Sequence, residues 1–371
     1  MKKSTLLSIG AILVLLVCTL PAKAQEQVST DKAASEAPMA EAEAESPFDI
    51  GGAVDAYYLY GFNEKPFTTS FTNAHNSFAL GMANIVFSKT GKFGFVADLA
   101  FGPRAEGANG YVDANGKISS LTLIKQLYAS YTPAEWVTLT LGNFSTFVGY
   151  EVIDAPLNMN YSTSYMFTNG PFFHTGLKAN FKLSEKFGAL VGVFNDTDTK
   201  IDVVPGKHVG GQLSFNDGVL GAYLNYLGGR HAEGEDVGDP DVFSHQIDLT
   251  ATLAVGKVGL GLNVTNRMFD PEEGDATNWF GTALYANFPV TETAKIALRA
   301  EYIGDDDGII TTVADNSILA FTVSGNIKLG PLILIPEFRI DNSSKEGYFL
   351  DADGKNTKTN AGVLFAVIYD F

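Results

Sequence analysis

Residues 172–183, FFHTGLKANFKL, alternate strictly. Phe173, Thr175, Leu177, Ala179, Phe181 and Leu183 share one face of an extended chain, and His174, Gly176, Lys178, Asn180 and Lys182 share the other. Successive side chains of a strand point to opposite faces, whereas a helix would scatter these residues around its circumference. Sixteen such runs follow one another, at roughly 48–62, 77–88, 93–103, 119–131, 136–147, 172–183, 187–196, 206–215, 218–229, 241–255, 257–268, 278–289, 294–303, 317–329, 331–341 and 359–371. Their connections alternate between long and short. The long ones cover 63–76, 104–118, 148–171, 197–205, 230–240, 269–277, 304–316 and 342–358, while the short ones are the turns KTGK, PAE, SEK, NDG, GK, TETA and GP. A soluble sandwich has no reason to keep every second connection tight, but a transmembrane barrel has periplasmic turns and longer outer loops.

The energetics of a lipid environment favour the same architecture. Every backbone N–H and C=O inside a bilayer needs a protein partner, so strands cross only as a closed sheet. The fold class read from the chain is therefore all-β, a transmembrane antiparallel up-and-down β-barrel of about 16 strands. Its apolar face meets lipid and its polar face lines a wet lumen. One run fits poorly. In LTLIKQLYASYTP the phase that turns Leu127, Ala129 and Tyr131 outward also turns Lys125 outward. Either a bulge near Ile124 resets the phase or Lys125 snorkels at the rim.

The ends read differently from the centre. Residues 1–24 have a basic start at Lys2 and Lys3, an apolar run from Leu6 to Leu20 and a small-x-small site at Ala22-Lys23-Ala24, the pattern of a cleaved secretory signal. Cleavage removes Cys18, the single cysteine, so no disulfide framework is available. It also removes three lysines and no acid, taking the formal charge from −17 to −20, which disfavours nucleic acid as a partner. Residues 25–47, acidic and rich in Ala and Glu without aromatics, read as a disordered leader. Residues 48–371 form the barrel.

Three stretches resemble the OmpL-like family of outer-membrane β-barrel porins: FDIGGAVDAYYLY at 48–60, KQLYASY at 125–131 and above all GYEVIDAPLNMNYSTSYMF at 149–167 with GPFFHTG after it. The resemblance implies a passive channel for small solutes in a Gram-negative outer membrane. The terminal Phe371, after Phe365, Val367 and Tyr369 in alternation, is similar to the signal by which such barrels are delivered to the barrel assembly machinery.

No chemistry beyond this is legible. The histidines His75, His174, His208, His231 and His245 form no i, i+4 pair and no zinc-hydrolase spacing, so neither a metal nor another cofactor is expected. A Ser-His-Asp hydrolase lacks a GxSxG turn here. The acidic groups Asp305-Asp306-Asp307, Glu272-Glu273, Glu233-Glu235-Asp236 and Asp351 with Asp353 complete no calcium loop and read as solvated outer-loop acids.

The inward phase carries Asp55, Asp98, Lys178, Asp248, Arg267, Arg299, Glu301, Lys328, Glu337, Arg339 and Asp341. Most of these read as hydrated lumen wall. The pairs Arg299 with Glu301 and Glu337 with Arg339, one hairpin apart, are expected to form one wall of a constriction whose field orients passing solutes. Sixteen strands enclose an aqueous channel that something must narrow. The longest outer loop, 148–171, is too apolar to wave in water, and Pro156 and Pro171 exclude regular sheet pairing there. It is expected to fold inward, with Glu151, Asp154, Asn158 and Asn160 facing the passage and Tyr161 anchoring it; a lid across the outer rim is the alternative. The function expected is a porin for small hydrophilic solutes, set in outer-membrane lipid and lipopolysaccharide. A structural or adhesive barrel with acidic loops comes second and a barrel hydrolase third. Assembly as a homo-oligomer stays open.

Overall fold

A computed structural model describes residues 48–110, 119–201, 206–231, 242–272 and 274–371. The signal and leader read at 1–47, the acidic residues Glu233, Glu235 and Asp236, and Glu273 lie outside these. Among the described residues sixteen strands close into one antiparallel barrel. They are β1 (Asp49–Gly61), β2 (Ser77–Lys89), β3 (Phe93–Phe101), β4 (Ile124–Ala134), β5 (Val137–Ser145), β6 (Phe173–Lys182), β7 (Phe187–Phe194) and β8 (His208–Asn216). The circuit continues through β9 (Leu220–His231), β10 (Val242–Val255), β11 (Val258–Pro271), β12 (Thr277–Pro289), β13 (Ala294–Asp305), β14 (Asn316–Leu329), β15 (Leu332–Ser343) and β16 (Thr359–Asp370). Each strand pairs with its sequence neighbours, and β1 pairs with β16 to leave no edge.

The two faces follow the alternation. Leu141, Leu177, Val193 and Val209 stand side by side in register on β5 to β8, and each is more than half exposed on the outer surface. Such a row is costly in water and favourable in hydrocarbon. At the short-turn end the outer face carries the aromatic pairs Phe93–Tyr131, Trp136–Phe181 and Phe187–Phe215, an interfacial girdle. The turns themselves are tight for a stated reason. Gly256 and Gly330 take φ of 61° and 62° at the first central position of two-residue hairpins, where other residues are strained. Pro331, fixed near −65°, suits the second position. Phe371 continues the closing seam: its N–H donates to Gly52 (3.0 Å) and its carbonyl accepts from Gly52 (2.9 Å).

One run differs from its reading. The expected strand 119–131 begins only at Ile124, because Ser119 caps a 3-10 turn at Ser120–Leu123, its hydroxyl accepting from the Leu121 N–H. The strand then runs on to Ala134. Lys125 is opposed by no residue of β3, since Asp98 pairs with Gln126 and Leu99 with Ile124. This two-against-one bulge turns Lys125 into the barrel, where it is 1% exposed. Of the two readings offered for Lys125, the bulge is the one found.

Candidate functional site

The loop between β5 and β6 enters the barrel. Tyr161, Ser162, Thr163, Ser164, Tyr165 and Met166 are all buried there. A buried backbone without a strand beside it must find other partners. Here the wall's side chains supply them. The Tyr161 and Ser162 N–H groups donate to Glu337 (2.7 and 3.1 Å), and those of Tyr165 and Met166 donate to Glu301 (3.0 and 2.9 Å). The Ser164 N–H donates to Glu151 (2.6 Å), a residue of the loop itself. In return Arg299 donates to the Ser162 carbonyl (2.7 Å) and Arg339 to the Thr163 carbonyl (2.8 Å). Carboxylates thus take the donors and guanidiniums take the acceptors.

Strand register explains why the four charged residues can reach. On β14 the residues between them are small: Thr322 lies between Arg299 and Arg339, and Ala320 between Glu301 and Asp341. Ser324 lies opposite Glu337 and donates to it (2.8 Å), while accepting from the Asn160 amide (2.7 Å). A shallow trough is left between two charged strands, and the loop fills it. Arg299 also meets Glu151 at 2.7 Å, and the Tyr165 hydroxyl donates to Asp341 (2.9 Å). Each ion is buried, which is tolerable because the arginines are ion-paired to Glu151 and Asp341 and the two glutamates are hydrogen-bonded.

The far side of the loop is held separately. Lys125, turned in by its bulge, bridges Asp98 (2.6 Å) and Asp154, so the loop is tied to β3 and β4. The Tyr161 hydroxyl donates to Asp55 on β1. Arg104, in the short helix α1 (Pro103–Asn109) of the preceding outer loop, donates to the Ile153 carbonyl (3.2 Å) and lies over the Tyr161 ring. The ends are fixed too. The Gly149 N–H donates to Asp248 (3.0 Å) and Arg267 donates to the Asn169 carbonyl (3.1 Å). Asp198, in the next outer loop, accepts from the Phe172 and Phe173 N–H groups (2.7 and 3.0 Å). Burial raises its carboxyl to about 6 against the pull of those two donors. The first outer loop closes over the top, with Thr69 accepting from Arg339 (2.9 Å) and the Ser70 carbonyl accepting from Thr163 (3.0 Å).

The residues singled out from the sequence are therefore brought together, but not facing a passage. Arg299, Glu301, Glu337 and Arg339 are between 0% and 4% exposed, and the loop that covers them takes hydrogen bonds from both arginines and gives them to both glutamates. They are a seam rather than an open wall. Of the loop's polar residues, Glu151 faces Arg299, Asn158 bonds back to Val152, and Asn160 reaches Ser324. Asp154 alone among these four keeps a partly exposed side chain, at 18%. Asp55, Asp248, Arg267 and Asp341, read as hydrated wall, each touch the loop instead. Pro156 sits in a 3-10 turn at Ala155–Leu157, and Pro171 is buried where the chain leaves for β6. Asp305, read as a solvated outer acid, is fully buried and accepts from the Ile309, Ile310 and Thr311 N–H groups. Arg104 escaped sequence reading altogether, for it lies in a loop without periodicity. The conflict of phase at Lys125 was the one available signal for that residue.

His174 bonds Thr146 (2.9 Å) and His208 meets Asp196 at 3.8 Å. Among the described residues no group of three or more His, Cys, Asp and Glu is placed to hold a metal.

Comparison with known proteins places this architecture. A search of curated proteins finds no significant match. Among solved structures, the anion-selective porin from Comamonas acidovorans is 14% identical, with a TM-score of 0.59 over 88% of this chain and 100% of that one. The outer-membrane channel DcaP of Acinetobacter baumannii is 13% identical, with a TM-score of 0.59 over 87% and 97%. OmpT of Vibrio cholerae, in a trimer form, is 11% identical, with a TM-score of 0.57 over 87% and 99%. These likenesses establish the porin fold. The profile of the family described as "Putative beta-barrel porin-2, OmpL-like" matches residues 47–371, the whole barrel. The chain is thus a member of this OmpL-like porin family, an outer-membrane β-barrel.

Proposed function

We propose that the protein forms a passive aqueous diffusion channel for small hydrophilic solutes, with its bore set by the inward-folded loop 148–171. The observation that carries this reading is the hydrogen bonding of the loop backbone to Glu301, Glu337, Arg299 and Arg339 on the inner wall. A loop so fastened narrows the space a solute can use, while the polar wall below it stays wettable. The partners on this reading are the solutes themselves, outer-membrane lipid and lipopolysaccharide, and the assembly machinery that Phe371 addresses. The trimer form of one structural relative supports a homo-oligomer.

A second reading has its own support. The loop touches β1, β4, β10, β11, β13, β14 and β15, and so spans much of the lumen. An occluded barrel serving the envelope structurally would be built this way. Planar-bilayer recording separates the two. The intact barrel is expected to show a small, stable unit conductance, and deletion of 152–166 is expected to raise it several-fold. A barrel silent in both forms would favour the structural reading, and an intact barrel as conductive as its deletion variant would remove the loop from the bore.

A further inference from the structure

The short-turn end of the lumen carries charges that the loop does not use. Lys182 closes β6, Lys295 stands at the start of β13 and Lys328 at the end of β14. Register puts all three on the inner face: Lys182 pairs with Gly188, which pairs with Ser214, while Lys295 pairs with Asn326 and Lys328 with Ile333. Each side chain is exposed, and among the described residues none of the three makes an ion pair. Their inward phase turns them from lipid headgroups toward the contents of the lumen. Because β6 and β14 are eight strands apart in a ring of sixteen, the cations stand on opposite sides of the mouth.

Opposing charge is confined. Among the described residues the inward acids at this end are Asp49 and Asp370, which stand together where β1 meets β16. The seven tight turns add four lysines and four acids, which cancel. The carboxylates bonded to the loop are distant as well as buried. On β14, Lys328 is six residues beyond Thr322, which is level with Arg299 and Arg339, a span of about 20 Å along the strand. Screening acts over about 8 Å at physiological ionic strength, so the lysines set the potential near them. Lys178, four residues deeper than Lys182 on the same face, lies over the Phe144 ring and extends the positive track inward. A cleft lined by one sign of charge concentrates ions of the other.

We infer that this mouth collects small anions, carboxylates or phosphates, and that Lys182, Lys295 and Lys328 set the preference. The formal charge of the whole chain, −17, would suggest cations instead, and the placement of the lysines reverses that sign locally. The inference deepens the channel reading and rests on it for a role in transport. Capture at the mouth itself needs no open path through the barrel.

The test reads the local potential through single cysteines, introduced by Ser214→Cys or Ile333→Cys and treated with anionic, neutral and cationic methanethiosulfonates. Ser214 lies two strands from Lys182, about 10 Å away, and Ile333 is the direct partner of Lys328. Rates on the full barrel in uncharged detergent and about 10 mM salt, each divided by the rate with free mercaptoethanol, should favour the anionic reagent over the cationic one. One unit charge about 10 Å away in water changes that ratio about threefold. Lys182→Gln should therefore lower it about threefold in the Ser214→Cys protein, and Lys328→Gln by at least as much in the Ile333→Cys protein. The rate with the neutral reagent should hold, and about 1 M salt should bring the ratio close to one. A ratio at or below one at both cysteines, a ratio indifferent to the lysine replaced, or no modification at all would overturn the inference. A barrel silent in bilayers whose cysteines still favour the anionic reagent would sink the channel reading and leave anion capture standing. A conducting barrel whose cysteines favour the cationic reagent would sink anion capture alone.

Discussion

The inner wall of this barrel changes character along its axis. Around Arg299 and Arg339 it is charged, buried and bonded to the loop. Toward the short turns the inward positions are Thr138, Asn180, Ser214 and Thr252, all half-buried, with Lys182 and Lys328 exposed at the rim. Both halves obey the same period of two, and both would read as polar lumen. The difference is what covers them. Where a loop supplies fixed backbone donors and acceptors, charged side chains become structural partners and cease to be available to solutes. Where none does, short polar residues and solvated lysines suffice. A charge on the inner face of a barrel is therefore evidence about the pore only after its partners are known.

Breaking the charged half should have the largest consequence. Glu301→Ala or Glu337→Ala leaves two buried loop N–H groups without acceptors, at a cost of about 2–5 kcal/mol each. Urea unfolding followed by gel mobility should register the loss, and the unit conductance should move toward that of the barrel lacking 152–166. Unchanged stability in both variants would mean that the seam is not maintained in the membrane.

A smaller effect sharpens the contrast between the halves. Lys125→Met strands Asp98 and Asp154 together without a cation, and should destabilise by about 3 kcal/mol. Lys182→Gln, on the uncovered half, should fall within about 0.5 kcal/mol of the native protein, as exposed substitutions do. Similar losses for the two lysines in the same unfolding experiment would erase the distinction drawn here.

How much of this could be read in the chain differs between frame and loop. Strand positions were legible because burial on one face and lipid on the other impose a period that no helix shares. The exception at 119–123 arose where Ser119 offers its hydroxyl to the backbone in place of a strand neighbour. The pairs at 299/301 and 337/339 stood out by phase, but their partners on loop 148–171 are more than 130 residues away in sequence, and nothing local reveals them. Lys125 announced itself by breaking the pattern, though the direction of the break needed the bulge to be seen. Arg104 gave no sign, since its role depends on where two loops meet.

The central claim is that loop 148–171 lies against the inner wall, held there by side chains. Its most direct test uses Asn160 and Ser324, whose polar tips are 2.7 Å apart. The single native cysteine, Cys18, falls within the predicted signal segment, so a pair introduced by Asn160→Cys and Ser324→Cys can be followed without interference. A short bifunctional thiol reagent added to the folded barrel in the membrane should join the pair, and the cross-linked protein should keep the native unit conductance. Two thiols that stay unjoined and open to a soluble maleimide after that treatment would place the loop elsewhere and contradict the account.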